Sequence, residues 1–112
     1  MYGAVMSNRK RLARAEMRAA VLKAMAHSTR LLILDELAGG ERCVCELHAL
    51  VGGDMSTVSK HLSVLKAVGL VSDRRQGTMI FYRLECPCIN ELLGCVERTS
   101  RAAIQAKLAS LQ

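Results

Sequence analysis

The chain has no tryptophan, one phenylalanine, two tyrosines and a single proline among its 112 residues. Its core must therefore come from Leu, Val, Ile, Ala and Met, in a sequence that is 51% hydrophobic. Such a low-aromatic core suits helical packing and tends to leave apolar stripes for a second subunit. No apolar run approaches the roughly 20 residues of a membrane span. Arg9, Lys10, Arg11, Arg14 and Arg18 break up the N-terminal stretch, so no secretory signal core is expected and the cytoplasm is the expected compartment. There is no Gly-rich phosphate loop and no Cys-x-x-Cys pair, and the three histidines are scattered. Neither an enzymatic role nor an organic cofactor is expected. Acidic charge is also short: 10 Asp and Glu against 16 Lys and Arg leave a net charge of +6. That balance favours an anionic partner, nucleic acid ahead of a membrane surface.

The length suits one domain. Residues 1–8 read as a flexible tail. A helix rich in Ala, Arg, Leu and Met runs from about Arg9 to Ala26, with Leu12, Met17, Val21, Leu22 and Met25 on its apolar side. Its basic first half reads as a solvated face or a phosphate-contacting arm. Ser28 can cap a second helix, Thr29 to about Leu37, which is apolar nearly all round and so expected to be central. Glu41 to Cys45 reads as a strand or a helix approach, and Glu46 to Val51 as a third short helix.

Gly52-Gly53 is a turn, and Asp54 can cap the helix that follows. In residues 54–71, Met55, Val58, Leu62 and Leu65 share one face, while Ser56, Ser59, Lys60 and Ser63 fall on or near the other. Two helices joined by a short Gly-containing turn make a helix-turn-helix, here 46–69, whose second helix reads DNA. Val71 to Arg75 and Met79 to Leu84 are extended runs around Gln76-Gly77, a hairpin wing over 71–84 with Arg74 and Arg75 at its tip. A last helix, 89–111, carries Ile89, Leu92, Leu93, Val96, Ala103 and Leu111 at helical spacing. The fold expected is mostly α with a small β-hairpin: a winged helix-turn-helix in the order α-α-(β)-α-α-β-β-α, pairing as a homodimer through its first and last helices. Ser56, Thr57, Ser59, Lys60, His61 and Ser63 would meet the major groove of operator DNA, with Arg74 and Arg75 at the backbone or minor groove. A packed, hydrogen-bonded role for His61 is the competing reading.

With those residues in view, positions 21–84 resemble the ArsR/SmtB family of winged-helix metalloregulatory repressors. The matching stretches are VLKAMAHSTRLLIL (21–34), STVSKHL (56–62), Gly69-Leu70-Val71, and the wing from Gly77 through Leu84. The resemblance implies a homodimer that holds its operator until an inducer binds. Two positions depart from the family pattern, which often has proline where Ser28 stands and a polar residue where Met55 stands.

Five cysteines, odd in number and clustered, point to metal or redox chemistry ahead of structural bridges. Cys43-Val44-Cys45-Glu46-Leu47 resembles the thiolate motif of the arsenic-responsive branch, which implies As(III) or Sb(III) as inducer. The bland alternative is two small buried apolar residues. Residues two apart diverge by about 200° on a helix but share a side in extended chain. Binding at Cys43 and Cys45 would therefore fray the start of the third helix. Where the branch often has a third thiol this chain has His48, and Cys86, Cys88 and Cys95 are the remaining candidates. A site made of Cys86, Cys88 and Cys95 alone would need non-helical chain at Cys88, because 88 and 95 lie about 10.5 Å apart on a helix. Equally open is a site across elements, with residues 42–45 near Cys86 and Cys88. Other functions carried forward are a thiol or persulfide redox-sensing repressor and, in another class, a thiol metal-binding carrier.

Overall fold

The computed structural model describes residues 7–111. Helices α1 (Asn8–Met25) and α2 (Ser28–Leu37) lead into a two-residue strand β1 (Arg42–Cys43). Helices α3 (Val44–Val51) and α4 (Met55–Ala67) follow, then strands β2 (Val71–Gln76) and β3 (Met79–Leu84), and last α5 (Ile89–Ser110). The strands form one antiparallel sheet in the order β1-β3-β2. The order of elements is the one expected. The stretch before α3, read as a strand or a helix approach, pairs as β1 with the wing strand β3.

Ile33, Leu34, Leu47, Val58, Leu62 and Leu65 are fully buried at the centre. Each such side chain contributes about 1.5–3 kcal/mol relative to exposure. Val58, Leu62 and Leu65 fix which way α4 faces, because burying that stripe turns the opposite side outward. Leu70, Val71 and Tyr82 close the core beneath the sheet, and Ile89 pins the start of α5. Leu32 stays exposed, so α2 is central on one side and not all round.

Several boundaries differ from expectation. Ser7 accepts a hydrogen bond from the Lys10 N–H and caps α1, so the helix begins at Asn8, inside the expected tail. Residues 1–6 of that tail lie outside the described residues. His27, not Ser28, caps α2: its Nδ1 accepts the Thr29 N–H at 3.1 Å, which moves Ser28 into the first turn. Helix α3 begins at Val44 rather than Glu46 because Cys43 and Glu46 cap it reciprocally. Asp54 precedes α4 without a side-chain cap bond; its main-chain oxygen accepts from Thr57 and Val58.

Only Ala24 and Met25 of α1 and Ile89 of α5 are buried, while Met17 is 72% and Leu108 58% exposed. The radius of gyration is 17.3 Å, against about 13 Å for a compact chain of this length. The excess reflects two long helices reaching past the core.

Candidate nucleic-acid interface and cysteine sites

Ser56, Thr57, Ser59, Lys60 and Ser63 are all exposed on the side of α4 opposite its buried stripe. Among the described residues no protein group hydrogen-bonds their side chains. Four hydroxyls and one ammonium are thus free along a helix face narrow enough for a major groove. His61 differs. Arg30 Nη1 lies 3.1 Å from its Nδ1, and its ring sits 4.5 Å from that of His27. Arg30 is itself anchored, donating through Nε to the Ala24 carbonyl. Burial, then the charges of His27 and Arg30, push the His61 imidazole below its usual value of 6.5. The ring packs against the α1–α2 junction, so its geometry matches the packed reading rather than base contact.

The wing separates its two arginines. Gly77 turns the hairpin at φ 62°, and pairing runs Gln76↔Met79, Arg75↔Ile80, Arg74↔Phe81. The tip is therefore Gln76 to Met79, with both arginines just behind it, and alternation sends them to opposite faces. Arg74 is engaged: it donates to both Glu41 carboxylate oxygens and to Gln76, and lies 4.6 Å over the Phe81 ring. That pairing raises the Arg74 guanidinium and holds the Glu41 carboxyl below its usual range. Arg75 shares the face of its cross-strand neighbour Ile80 and of Asp73, and Asp73 is tied to α4 through Lys66 at 2.9 Å. Arg75 is exposed and has no protein partner among the described residues. It extends the surface of α4, whereas Arg74 braces the outer face of the sheet.

Cys43 and Cys45 come together at the start of α3, joined by a disulfide with Cα atoms 5.4 Å apart. Cys43 is buried and Cys45 exposed. The Cys43 sulfur accepts the Glu46 N–H at 3.3 Å, and the Glu46 carboxylate accepts the Cys43 N–H at 3.0 Å. Sequence reasoning missed Glu46. Its signal was an acid three residues after a cap, which is easy to pass over when the cap is a thiol rather than a hydroxyl.

Cys86 and Cys88 form a second pair, with sulfurs 2.8 Å apart. That contact raises the Cys88 thiol. The Cys88 carbonyl accepts from Glu91 and Leu92, so the helical turn already includes it. The three-cysteine C-terminal site required non-helical chain there. Cys95 instead stands seven residues along α5, about 10.5 Å away. The cross-element site meets a similar obstacle. Cys43 pairs opposite Phe81, and the antiparallel register carries Cys45 toward Met79, away from Cys86. Cys86 lies five positions beyond Phe81, roughly 16 Å along extended chain. Among the described residues, no three His, Cys, Asp or Glu side chains of one chain cluster to hold a metal.

An amphipathic helix with a free polar face, a short preceding helix and a hairpin braced beside them define a winged helix-turn-helix DNA-binding protein. The chain belongs to the arsR family of bacterial regulatory proteins, whose model matches residues 27–73. The nodulation protein NolR of Rhizobium meliloti is 43% identical over 82 residues, covering 73% of this chain and 67% of that protein. The arsenical resistance operon repressor of Escherichia coli is 42% identical over 67 residues, covering 57% of this chain and 56% of that one. The solution structure of a homodimeric winged helix-turn-helix DNA-binding domain from Mycobacterium bovis superposes with a TM-score of 0.74 at 37% identity, covering 95% of each chain. No helix among the described residues is long and apolar enough to cross a membrane.

Proposed function

We propose that the protein is a homodimeric transcriptional repressor that leaves its operator when trivalent arsenic or antimony binds the Cys43 and Cys45 thiolates. The observation that carries this reading is that Cys43 is the cap of α3. Helix α3 is the first half of the helix-turn-helix, so the atom that binds the inducer is also the atom that starts the helix behind the reader. Cys45 lies in the first turn, and its sulfur already meets that of Cys43 while the cap bond from the Glu46 N–H stands; an ion bound to the Cys43 thiolate competes with that N–H for the same sulfur lone pairs and so weakens the cap. The cap loosens and the α3–α4 pair shifts. Release needs only that the inducer favour the shifted state by a few kcal/mol. The arsenical resistance operon repressor of Escherichia coli, 42% identical over 67 residues, supports the choice of inducer.

The dithiol is the binding form, so the Cys43–Cys45 bridge must first be reduced. The test is fluorescence anisotropy of a labelled fragment of the protein's own promoter, in thiol reductant, with and without arsenite. The expected result is loss of DNA affinity on adding arsenite, abolished in Cys43→Ser and Cys45→Ser. Unchanged affinity in the parent protein would end the arsenic reading.

A second reading is favoured by the same disulfide and by the close Cys86–Cys88 sulfurs. In it the switch is oxidation: two thiols give two electrons and two protons to a peroxide or polysulfide and become a bridge. Release by oxidant with no arsenite response would select this reading over the first.

A further inference from the structure

We propose that Cys86 and Cys88, at the joint between the wing and the last helix, form a reactive dithiol that a peroxide closes to a disulfide. The two sulfurs stand 2.8 Å apart. Unbonded heavy atoms rest roughly 3.5–4.0 Å apart, and a disulfide bond is about 2.05 Å long. The pair is closer than packing brings two atoms and short of a bond.

Neither packing nor capping accounts for the pair. Cys88 is exposed, and Cys86 is half-buried against the core. Cys88 holds the N-cap position of α5 but makes no side-chain cap bond, unlike Cys43 at the start of α3. Its sulfur meets that of Cys86 instead. Among the described residues, no third His, Cys, Asp or Glu joins them in a metal-holding group. Access also separates the two cysteine pairs, since Cys43 is buried whereas Cys88 meets solvent. Oxidation selects a sulfur that the oxidant can reach. The chain is held on both sides of the pair. The Glu85 N–H donates to the Leu70 carbonyl, the Ile89 N–H donates to the Cys86 carbonyl, and Ile89 is buried. Pro87 has no N–H, so a ring closed around it costs no main-chain donor. The bridge would fix the turn through which β3 runs into α5.

The chemistry balances with a peroxide as the oxidant. Contact with Cys86 raises the Cys88 thiol, which keeps its proton until the second step. The Cys86 sulfur gives its proton to water and attacks a peroxide oxygen. The O–O bond breaks, hydroxide leaves and takes that proton up, and Cys86 becomes a sulfenic acid. The Cys88 sulfur then attacks the Cys86 sulfur. The S–O bond breaks, and the departing oxygen takes the Cys88 proton and leaves as water. Two thiols have lost two electrons and two protons, and one hydrogen peroxide has become two waters. A thiol reductant reopens the bridge by exchange. The proposal deepens the oxidative reading above; it rests on that reading for an effect on DNA but not for closure of the bridge.

The test takes the reduced full-length protein and adds hydrogen peroxide stepwise to one equivalent per protomer. The remaining thiols are alkylated and tryptic peptides are mapped by mass spectrometry. Cleavage after Arg42, Lys60, Arg83 and Arg98 puts Cys43 and Cys45 in peptide 43–60, and Cys86, Cys88 and Cys95 in peptide 84–98. The expected result is a bridged peptide 84–98, lighter by two hydrogens, in which Cys95 alone is alkylated. Dithiothreitol should restore all three thiols. In Cys88→Ser the bridge should be lost, and dimedone, which traps sulfenic acids, should label Cys86. Loss of Cys95 ahead of the pair, a bridge joining the two peptides, or an unlabelled Cys86 in Cys88→Ser would overturn the site. Anisotropy on the promoter fragment separates the dithiol from the reading it deepens. A bridged peptide 84–98 with DNA affinity unchanged would sink the oxidative switch and leave the dithiol standing. Release of DNA with the bridge confined to peptide 43–60 would do the reverse.

Discussion

At the scale of single residues, the charged groups near the reader divide into those already engaged and those left free. Arg74 spends its donors on Glu41 and Gln76, and Arg75 keeps its own. Arg75→Ala is expected to weaken DNA binding about equally across sequences, as loss of a phosphate contact does. Arg74→Ala should leave the DNA affinity closer to the parent's and show itself instead in a less stable wing. Anisotropy and thermal melts on the two variants check this, and the opposite ranking for DNA affinity would contradict it. The sequence placed both arginines at the tip because it shows the hairpin but not its register. One residue of alternation decides which of them faces α4. His61 offers a second residue-scale test. Burial depresses its pKa from 6.5, so the unfolded chain binds the proton more readily than the folded one. Stability is then fully present above the unfolded value and lost as pH falls through the folded value. Melting temperature should fall between about pH 7.5 and 5.5, and His61→Asn should flatten part of that slope. Glu41 and Glu85, both held below 4.5, lose their stabilisation only in a lower window, so they leave this range clear. A slope unchanged by His61→Asn would contradict the assignment.

At the scale of elements, the existence and type of every helix and of the wing could be read from apolar spacing and from Gly-containing turns. The caps could not. Ser28 and Asp54 are good capping types, yet His27 caps α2 and the Asp54 side chain makes no cap bond. A hydroxyl or carboxylate in the right place caps only if the incoming chain aims it, and that direction is set by packing. The start of α3 shows the consequence most clearly. Val44 between two cysteines resembles strand, but the Cys43 sulfur and the Glu46 carboxylate close a reciprocal cap and pull two more residues into the helix. Cap and inducer-binding roles can be separated by substitution. Cys43→Ala removes the cap and should destabilise the fold by about 0.5–2 kcal/mol. Cys43→Ser keeps an acceptor there and should retain most of that stability. Both should lose the arsenite response. Chemical denaturation of the two variants under reducing conditions, beside their anisotropy, gives the answer. Equal stability in Cys43→Ala and the parent would show that the thiol cap contributes nothing in solution.

At the scale of the whole molecule, the unburied apolar surface and the charge belong to one arrangement. Leu12, Met17 and Leu22 on α1, with Leu92, Val96, Ile104 and Leu108 on α5, stand exposed along two helices that reach past the core. Pairing two copies through them gives a dimer with twice the +6 charge of the chain and two reader helices. The apolar stripes were legible in the sequence. Their excess over what a small core can cover was visible as well, because so few aromatics leave the core compact. The sequence could not show how far each cysteine pair lies from the other, since that distance depends on the strand register. The charge arrangement has a measurable consequence. Each phosphate neutralised lowers the slope of log affinity against log salt by about 0.9. Lys60 is exposed on α4 and occurs twice in a dimer. Lys60→Ala should therefore make the slope shallower by about 1.8, by a similar amount on operator and unrelated DNA. A double substitution, Val96→Glu with Leu108→Glu, should convert the sedimenting species from dimer to monomer and bring the slope to roughly half the parent's. If that variant sediments as a monomer yet keeps the parent's slope, one protomer makes all the phosphate contacts and the paired-reader arrangement is wrong. If it remains a dimer, the two helices are not the interface.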